Sequence, residues 1–245
     1  MVERYGDLVV FFVLTLLAEI IGTIGGFGSS LFFVSIFQFI YDFQLVLALT
    51  GLLHVFSNTA KVFLFWKAID WKLTLWIGSS SLLLAVGGAY LTRYVELEYA
   101  RLVLGCFLLV FSVFFFVNPD FSAKPVLKTS LLGGGVAGFL AGFIGTGGAI
   151  RGLVLASFNL ERNLFVGTSA AIDFGVDLSR TWIYIDAGYF GNAPLVYIPL
   201  LFVASLLGSY LGKLALARIS QELFRKVLLG LIFLVGVSLI LETLI

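Results

Sequence analysis

"GFIGTGGAIRG", residues 142–152, sets five glycines and an arginine inside an otherwise apolar stretch. A membrane-spanning helix avoids both features, because glycine loosens the backbone and a fixed charge is expensive in lipid. The solvent of this chain is therefore the first question. Hydrophobic residues make up 60% of the 245 and charged residues 12%, with a mean hydropathy of +1.10. Soluble domains carry about 25% charged residues. This chain cannot coat itself with polar side chains and reads as an integral membrane protein. Apolar runs at 8–24, 44–66, 72–92, 99–117, 127–145, 164–185, 194–216 and 223–241 approach the roughly 20 residues a spanning helix needs. The expected fold class is all-α: a polytopic transmembrane protein of about eight spanning helices plus two short half-helices.

A net charge of +1 gives no electrostatic footprint for nucleic acid. Cys106, the one cysteine, excludes a disulfide framework and reads as a small buried hydrophobe. The opening residues hold Glu3, Arg4 and Asp7 rather than a basic run, so the first apolar segment is expected to stay as a helix.

The glycine-rich stretch has a counterpart. Sliding the chain by about 120 residues sets Gly22, Ile24, Gly25 and Gly28 on Gly142, Ile144, Gly145 and Gly148. The same shift sets Gly88, Tyr90, Leu91 and Arg93 on Gly208, Tyr210, Leu211 and Lys213. At 119, His54, Asn58 and Lys61 fall on Asp173, Asp177 and Arg180. The linker "NPDFSAKPVLK" (118–128) separates the halves, so the expected units are an N-terminal transmembrane repeat (1–120) and a C-terminal one (121–245).

Each half reads as an apolar helix, a glycine break, a short apolar stretch and three full spans. The short stretches, 29–40 and 149–158, cannot cross alone at about 1.5 Å per residue. Each is expected to turn back to the side it came from, which inverts the second repeat relative to the first. Loop charge agrees. Arg4, Arg93 and Arg101 fall on one side; Lys67, Lys72, Lys124, Lys128, Arg162, Lys213, Arg218, Arg225 and Lys226 fall on the other. The richer side is expected to be cytoplasmic, with both termini outside the cytoplasm.

Soluble readings of the opening stretch fail. A dinucleotide fingerprint needs glycine at Ile150, and a phosphate loop needs Lys-Ser/Thr where Ala149-Ile150 stands. In a membrane, Gly134, Gly138 and Gly142, and Ala18, Gly22 and Gly26, form small-residue faces for helix packing. Gly145, Gly147 and Gly148 should unwind the helix, which is tolerable only inside protein or beside a watery cavity. Where the helix restarts, its free N–H groups make an anion site. Thr146, Ser29 and Ser30 are candidate hydroxyl donors, and Arg151 is a candidate bidentate partner for an oxyanion.

His54, Asn58 and Lys61 share one helical face, as do Asp173, Asp177 and Arg180. Ionisable residues inside spans are functional candidates by default. Two aspartates four apart repel if both ionise, which makes one of them a candidate proton carrier. His54, the only histidine, is another. The same charges could instead form a structural network, with Asp177 held by Arg180 or Arg151 paired to an aspartate. Glu19 could line the cavity or pair with Lys61 or Arg180. Gln38 and Asn159 read as interfacial, and Trp66, Trp71, Trp76 and Tyr94 as anchors at span ends. No metal ligand cluster and no cofactor motif is present.

"GTIGGFGSSLFFVSIFQF" and "GFLAGFIGTGGAIRGLVLASFNLERNLFVGTSAAIDFGVDLSR" resemble the duplicated glycine-rich motifs of the TauE/SafE family of membrane permeases. "GTSAAID" (167–173) resembles the Gly-Thr-Ser that follows the second motif there. The resemblance covers nearly the whole chain. It implies transport of sulfur-containing anions, such as sulfite and organosulfonates, across the bacterial inner membrane. It implies substrate contacts at Gly25, Gly26, Gly28, Ser29 and Ser30 and at Gly145, Thr146, Gly147 and Gly148, with Thr168 and Ser169 nearby. The first half departs from it, since Leu49-Thr50-Gly51 stands where Gly-Thr-Ser is expected.

The expected function is secondary transport of a small anion, coupled to protons, with no enzymatic activity. A passive anion channel, a carrier of small carboxylates, an intramembrane enzyme and a non-transporting subunit are the rivals. The expected partners are the anion and the lipid bilayer; a homodimer stays open.

Overall fold

The structure is a computed structural model that describes residues 2–91, 97–144, 147–191 and 195–244. All regular structure among them is helical. The first half holds α1 (Val2–Gly25), α2 (Ser30–Phe37), α3 (Phe43–Leu64), α4 (Trp71–Leu91) and α5 (Leu97–Val117), with a 3-10 turn at Trp66–Ala68. The second holds α6 (Leu127–Ile144), α7 (Gly147–Ser157), α8 (Arg162–Asp186), α9 (Tyr197–Arg218) and α10 (Gln221–Leu244). Apolar continuity sets the helix bodies and local polar groups set several starts. The Glu161 carboxylate caps α8 by accepting the N–H groups of Asn163 and Leu164, at 3.0 and 3.2 Å. Asp70 does the same for α4, accepting the Leu73 N–H at 2.9 Å.

The burial pattern is that of a protein dissolved in lipid. Leu75, Val86 and Trp182 are 68%, 70% and 73% exposed, while Glu19, Lys61 and Arg151 are 0%, 4% and 5% exposed. Water would reverse that order. Gly6–Gly25, Phe43–Leu64, Tyr197–Arg218 and Gln221–Leu241 are long and apolar enough to cross a membrane. α5, α6 and α7 contribute shorter apolar segments. α8 carries Asp173, Asp177, Arg180 and Asp186 and is correspondingly less apolar.

α1 packs on α9, α4 on α6, α3 on α8 and α9, α4 on α8, and α5 on α10. Small residues permit the closest approaches. A methyl group on Gly134 or Gly138 of α6 would run into Ile77 or Ser81 of α4, so those two positions pack as expected. The first-half stripe is different. A methyl on Gly22 would strike the backbone of Gly28 and Ser29, because the chain folds back on its own helix there. Gly26 lies beyond α1 at φ +81°, against Phe165.

Hydrogen bonds gather the ends of the molecule into two groups. Ala123 N–H reaches Ser157 O at 2.7 Å, Lys213 reaches Leu64 O at 2.6 Å and Gln221 reaches Leu160 O at 2.8 Å. Arg162 reaches Ile219 O. Arg225 donates to Asn159 Oδ1 at 2.7 Å and to Phe115 O at 3.4 Å. At the opposite end Phe11, Phe33, Phe37, Tyr41 and Tyr197 form an aromatic cluster, with the Tyr197 hydroxyl donating to Tyr41 at 3.1 Å. α2 therefore ends beside the start of α1, and α7 ends at the other pole. Gly148 and Gly152 of α7 lie against Phe27, so the two glycine breaks meet inside the protein.

Two further expectations change. Cys106 is exposed on α5 rather than buried; that helix is apolar all round, so its composition did not mark the outer face. Gly147 and Gly148 belong to the first turn of α7 rather than to the unwound break. Gly145 and Thr146, expected at the break, lie outside the described residues, as do Arg93 and Tyr94.

Candidate functional site

α3 and α8 cross with their polar faces together. Asn58 Nδ2 donates to Asp177 Oδ2 at 2.8 Å. His54 Nδ1 stands 3.3 Å from the same oxygen. Arg180 holds the other Asp177 oxygen at 2.6 Å. One carboxylate thus receives a side chain from three of the five other polar positions on the two faces.

A second cluster surrounds Glu19 of α1. Its Oε1 accepts from Ser29 Oγ. Its Oε2 accepts from Ser57 Oγ at 2.6 Å and Lys61 Nζ at 3.4 Å. Lys61 also donates to Ser57 Oγ at 2.5 Å. Ser29 sits at the cap of α2 but makes no cap bond with its side chain, which turns instead to Glu19 and, at 3.3 Å, to His54 Nε2. Gly28 leaves α1 at φ +106°, where L side chains are strained, and a methyl there would come within 3.2 Å of His54 Cε1. The break of the first half therefore packs directly on the imidazole.

The third cluster belongs to the second half. Arg151, in the second turn of α7, pairs through NH2 with Asp173 Oδ1. Ser169 Oγ donates to Asp173 Oδ2 at 3.2 Å. Arg151 Nε is buried without a hydrogen-bond partner. Thr168 Oγ1 accepts the Asp70 N–H at 3.0 Å and ties α8 to the start of α4.

The three core cations are thus each matched with an acid: Lys61 with Glu19, Arg151 with Asp173, Arg180 with Asp177. Removing one member of such a buried pair costs about 3–5 kcal/mol, because the other is left uncompensated. Both alternatives posed by the sequence for these charges are realised as contacts, the i,i+3 pair on α8 and the interhelical pair of Arg151. Glu19 takes Lys61 and not Arg180. Ser57 was missed, although it lies four residues before Lys61 on the same face. Gly25, Gly26 and Gly28 lie at the end of α1 and in the break after it, beside Phe27, Phe165 and His54, and Ser30 opens α2.

Ion pairs enclosed in a shell of exposed leucine, valine and phenylalanine mark an integral membrane protein. Within that class, the chain matches the family model described as sulfite exporter TauE/SafE over residues 11–239, and it belongs to that family. No curated protein and no solved structure gives a significant match.

Proposed function

We propose that the chain is a secondary transporter that carries a small sulfur-containing oxyanion, sulfite or an organosulfonate, by alternating access through a site between two inverted repeats. The observation that carries this reading is Arg151. It is a buried guanidinium near the start of a half-helix, committed on one side to Asp173 and with Nε unpartnered. Free N–H groups at the start of α7 and a planar guanidinium suit an oxyanion. With Asp173 ionised, Arg151 is neutralised and the anion has a competitor. A proton on Asp173 cancels that competitor and frees the guanidinium, so proton and anion enter together.

The helix pairing supports the repeat. Exchanging α1–α5 with α6–α10 turns α1·α9 into α6·α4 and α3·α9 into α8·α4, and returns α3·α8 and α5·α10 to themselves. The crossing contact joins Asn58 to Asp177, 119 residues on. The repeats, 1–120 and 121–245, are interleaved rather than separate bodies, because α1 and α6 each pack on the other half. Eight long helices then cross and α2 and α7 are re-entrant. The pole holding Lys67, Lys124, Arg162 and Arg225 faces the cytoplasm of the bacterial inner membrane, and both termini face away from it.

The direct test is sulfite binding to purified protein by calorimetry. Arg151→Ala should abolish it, and unchanged binding would remove Arg151 from the site. In proteoliposomes, uptake should follow an imposed pH gradient and show counterflow. Flux that neither saturates nor counter-flows would instead mark a channel.

A further inference from the structure

Among residues 25–29 and 145–148, the two glycine breaks, Phe27 is the one large side chain. It stands between Gly26 and Gly28, whose φ angles of +81° and +106° suit only glycine. The backbone therefore fixes where the ring goes, and it goes to α7. A methyl group on Gly152 would lie 3.3 and 3.4 Å from Phe27 Cβ and Cγ. One on Gly148 would lie 3.0 Å from the Phe27 carbonyl oxygen and 3.9 Å from its ring Cδ2. These two glycines are one turn apart and bracket Arg151, so Phe27 fills a notch in the turn that carries the guanidinium. The ring is 7% exposed. On either side of it the break is closed, with Gly26 against Phe165 and Phe224 and Gly28 against His54.

We infer that Phe27 sets which sulfur anion the site takes: its ring fills the room that the carbon substituent of an organosulfonate needs, so the site accepts sulfite and excludes tailed sulfonates. The two anions share three oxygens on one sulfur. They differ at the fourth position, which is a lone pair in sulfite and a carbon in a sulfonate. Arg151 Nε, buried without a partner, and the free N–H groups at the start of α7 are donors, so they take the oxygens. With the oxygens turned to α7, the fourth position points away from it, into the break that packs there. The side chain met there is Phe27. The second half cannot supply such a filter, because the counterpart of Phe27 120 residues on is Gly147. The ring belongs to the apolar cluster that includes Ile150 and Ile232, so shortening it opens space without unpairing a polar group. A steric filter of this kind discriminates by about 10–200-fold for each methylene.

This inference rests on the proposed anion site at Arg151 and the start of α7. The test is calorimetry on purified full-length protein with sulfite, methanesulfonate, ethanesulfonate and butanesulfonate. The three sulfonates share one charged head and differ only in the tail. The wild type should bind sulfite, and its affinity should fall by about tenfold or more from methanesulfonate to butanesulfonate. Phe27→Ala should bind butanesulfonate about tenfold or more tighter than the wild type, with sulfite affinity near the wild-type value. Phe27→Leu should fall between the two and carries the test if the alanine variant does not fold. A wild type that binds butanesulfonate as tightly as methanesulfonate overturns the filter and leaves the Arg151 site standing. So does a Phe27 variant that keeps the wild-type ratio of the two. Adding Arg151→Ala to Phe27→Ala should abolish binding of all four anions; butanesulfonate binding that survives there would place the gained affinity elsewhere and overturn the filter. A wild type that binds none of the four removes the Arg151 site itself and the filter with it.

Discussion

The two halves place polar residues at matching positions and use opposite chemistry there. On α3 the face reads His54, Asn58, Lys61; on α8, 119 residues later, it reads Asp173, Asp177, Arg180. The first half answers its lysine with an acid on α1, Glu19, whose counterpart 120 residues on is Phe139. The second half answers its aspartate with a base on α7, Arg151, whose counterpart is Leu31. Matching positions thus carry different side chains, and the charges are divided between the two halves. The α7 guanidinium belongs to one half and the α3 imidazole to the other.

Removing Arg151 should break this division most severely. Arg151→Ala leaves Asp173 buried with only Ser169, so thermal unfolding should show a loss of about 3–5 kcal/mol together with loss of sulfite binding. Adding Asp173→Ala should recover most of the stability and none of the binding. A double variant that regains sulfite would show that the pair has no part in the site. Asp173→Asn alone should free the guanidinium and tighten binding, by roughly tenfold if it releases one charged hydrogen bond of about 1.5 kcal/mol.

The first-half pair should matter for stability in a graded way. Lys61→Met removes a cation that is 4% exposed, whereas Arg180→Met removes one that is 30% exposed. The former should cost more, near the lower end of the buried-pair range because Glu19 keeps Ser29 and Ser57. Equal losses would mean that the greater exposure of Arg180 does not weaken its hold on Asp177.

Gly88→Ala and Gly208→Ala sharpen the comparison at the level of packing. The two glycines are 120 residues apart, and what they face, Phe139 and Glu19, is also 120 apart. Overpacking costs about 1–3 kcal/mol. Gly88→Ala should fall at the upper end because it meets the Phe139 backbone, while Gly208→Ala meets the Glu19 side chain. Only Gly208→Ala should also disturb the polar core, read as altered uptake at matched stability.

Much of this was legible before any coordinates. Apolar runs marked the helices. The spacing 54, 58, 61 and 173, 177, 180 marked two polar faces. Which partner each charge takes was not legible, because helical periodicity fixes a face but not the register of one helix on another. Glu19 had two candidate cations and Arg151 two candidate aspartates until α3 crossed α8 at Asn58 and Asp177. Cys106 was misplaced for a related reason: a helix apolar on every side gives no sign of which side meets lipid. Gly22 looked like an interhelical contact because small-residue spacing does not reveal that the chain returns upon itself.

The smallest expected effect separates two threonines. Thr168 accepts the Asp70 N–H from another element, whereas the Thr50 hydroxyl donates to Val46 O within its own helix at 2.6 Å. Both are buried, and valine matches threonine in shape. Thr50→Val removes a donor from a carbonyl that lies within α3, where helical bonding supplies a partner, so it should change stability by less than about 0.5 kcal/mol. Thr168→Val leaves the Asp70 N–H without that acceptor at the start of α4 and should cost about 1–3 kcal/mol. Thermal unfolding of the two variants side by side reads the difference. If Thr168→Val proved as silent as Thr50→Val while sulfite binding fell, its hydroxyl would belong to the substrate and not to the tie between α8 and α4.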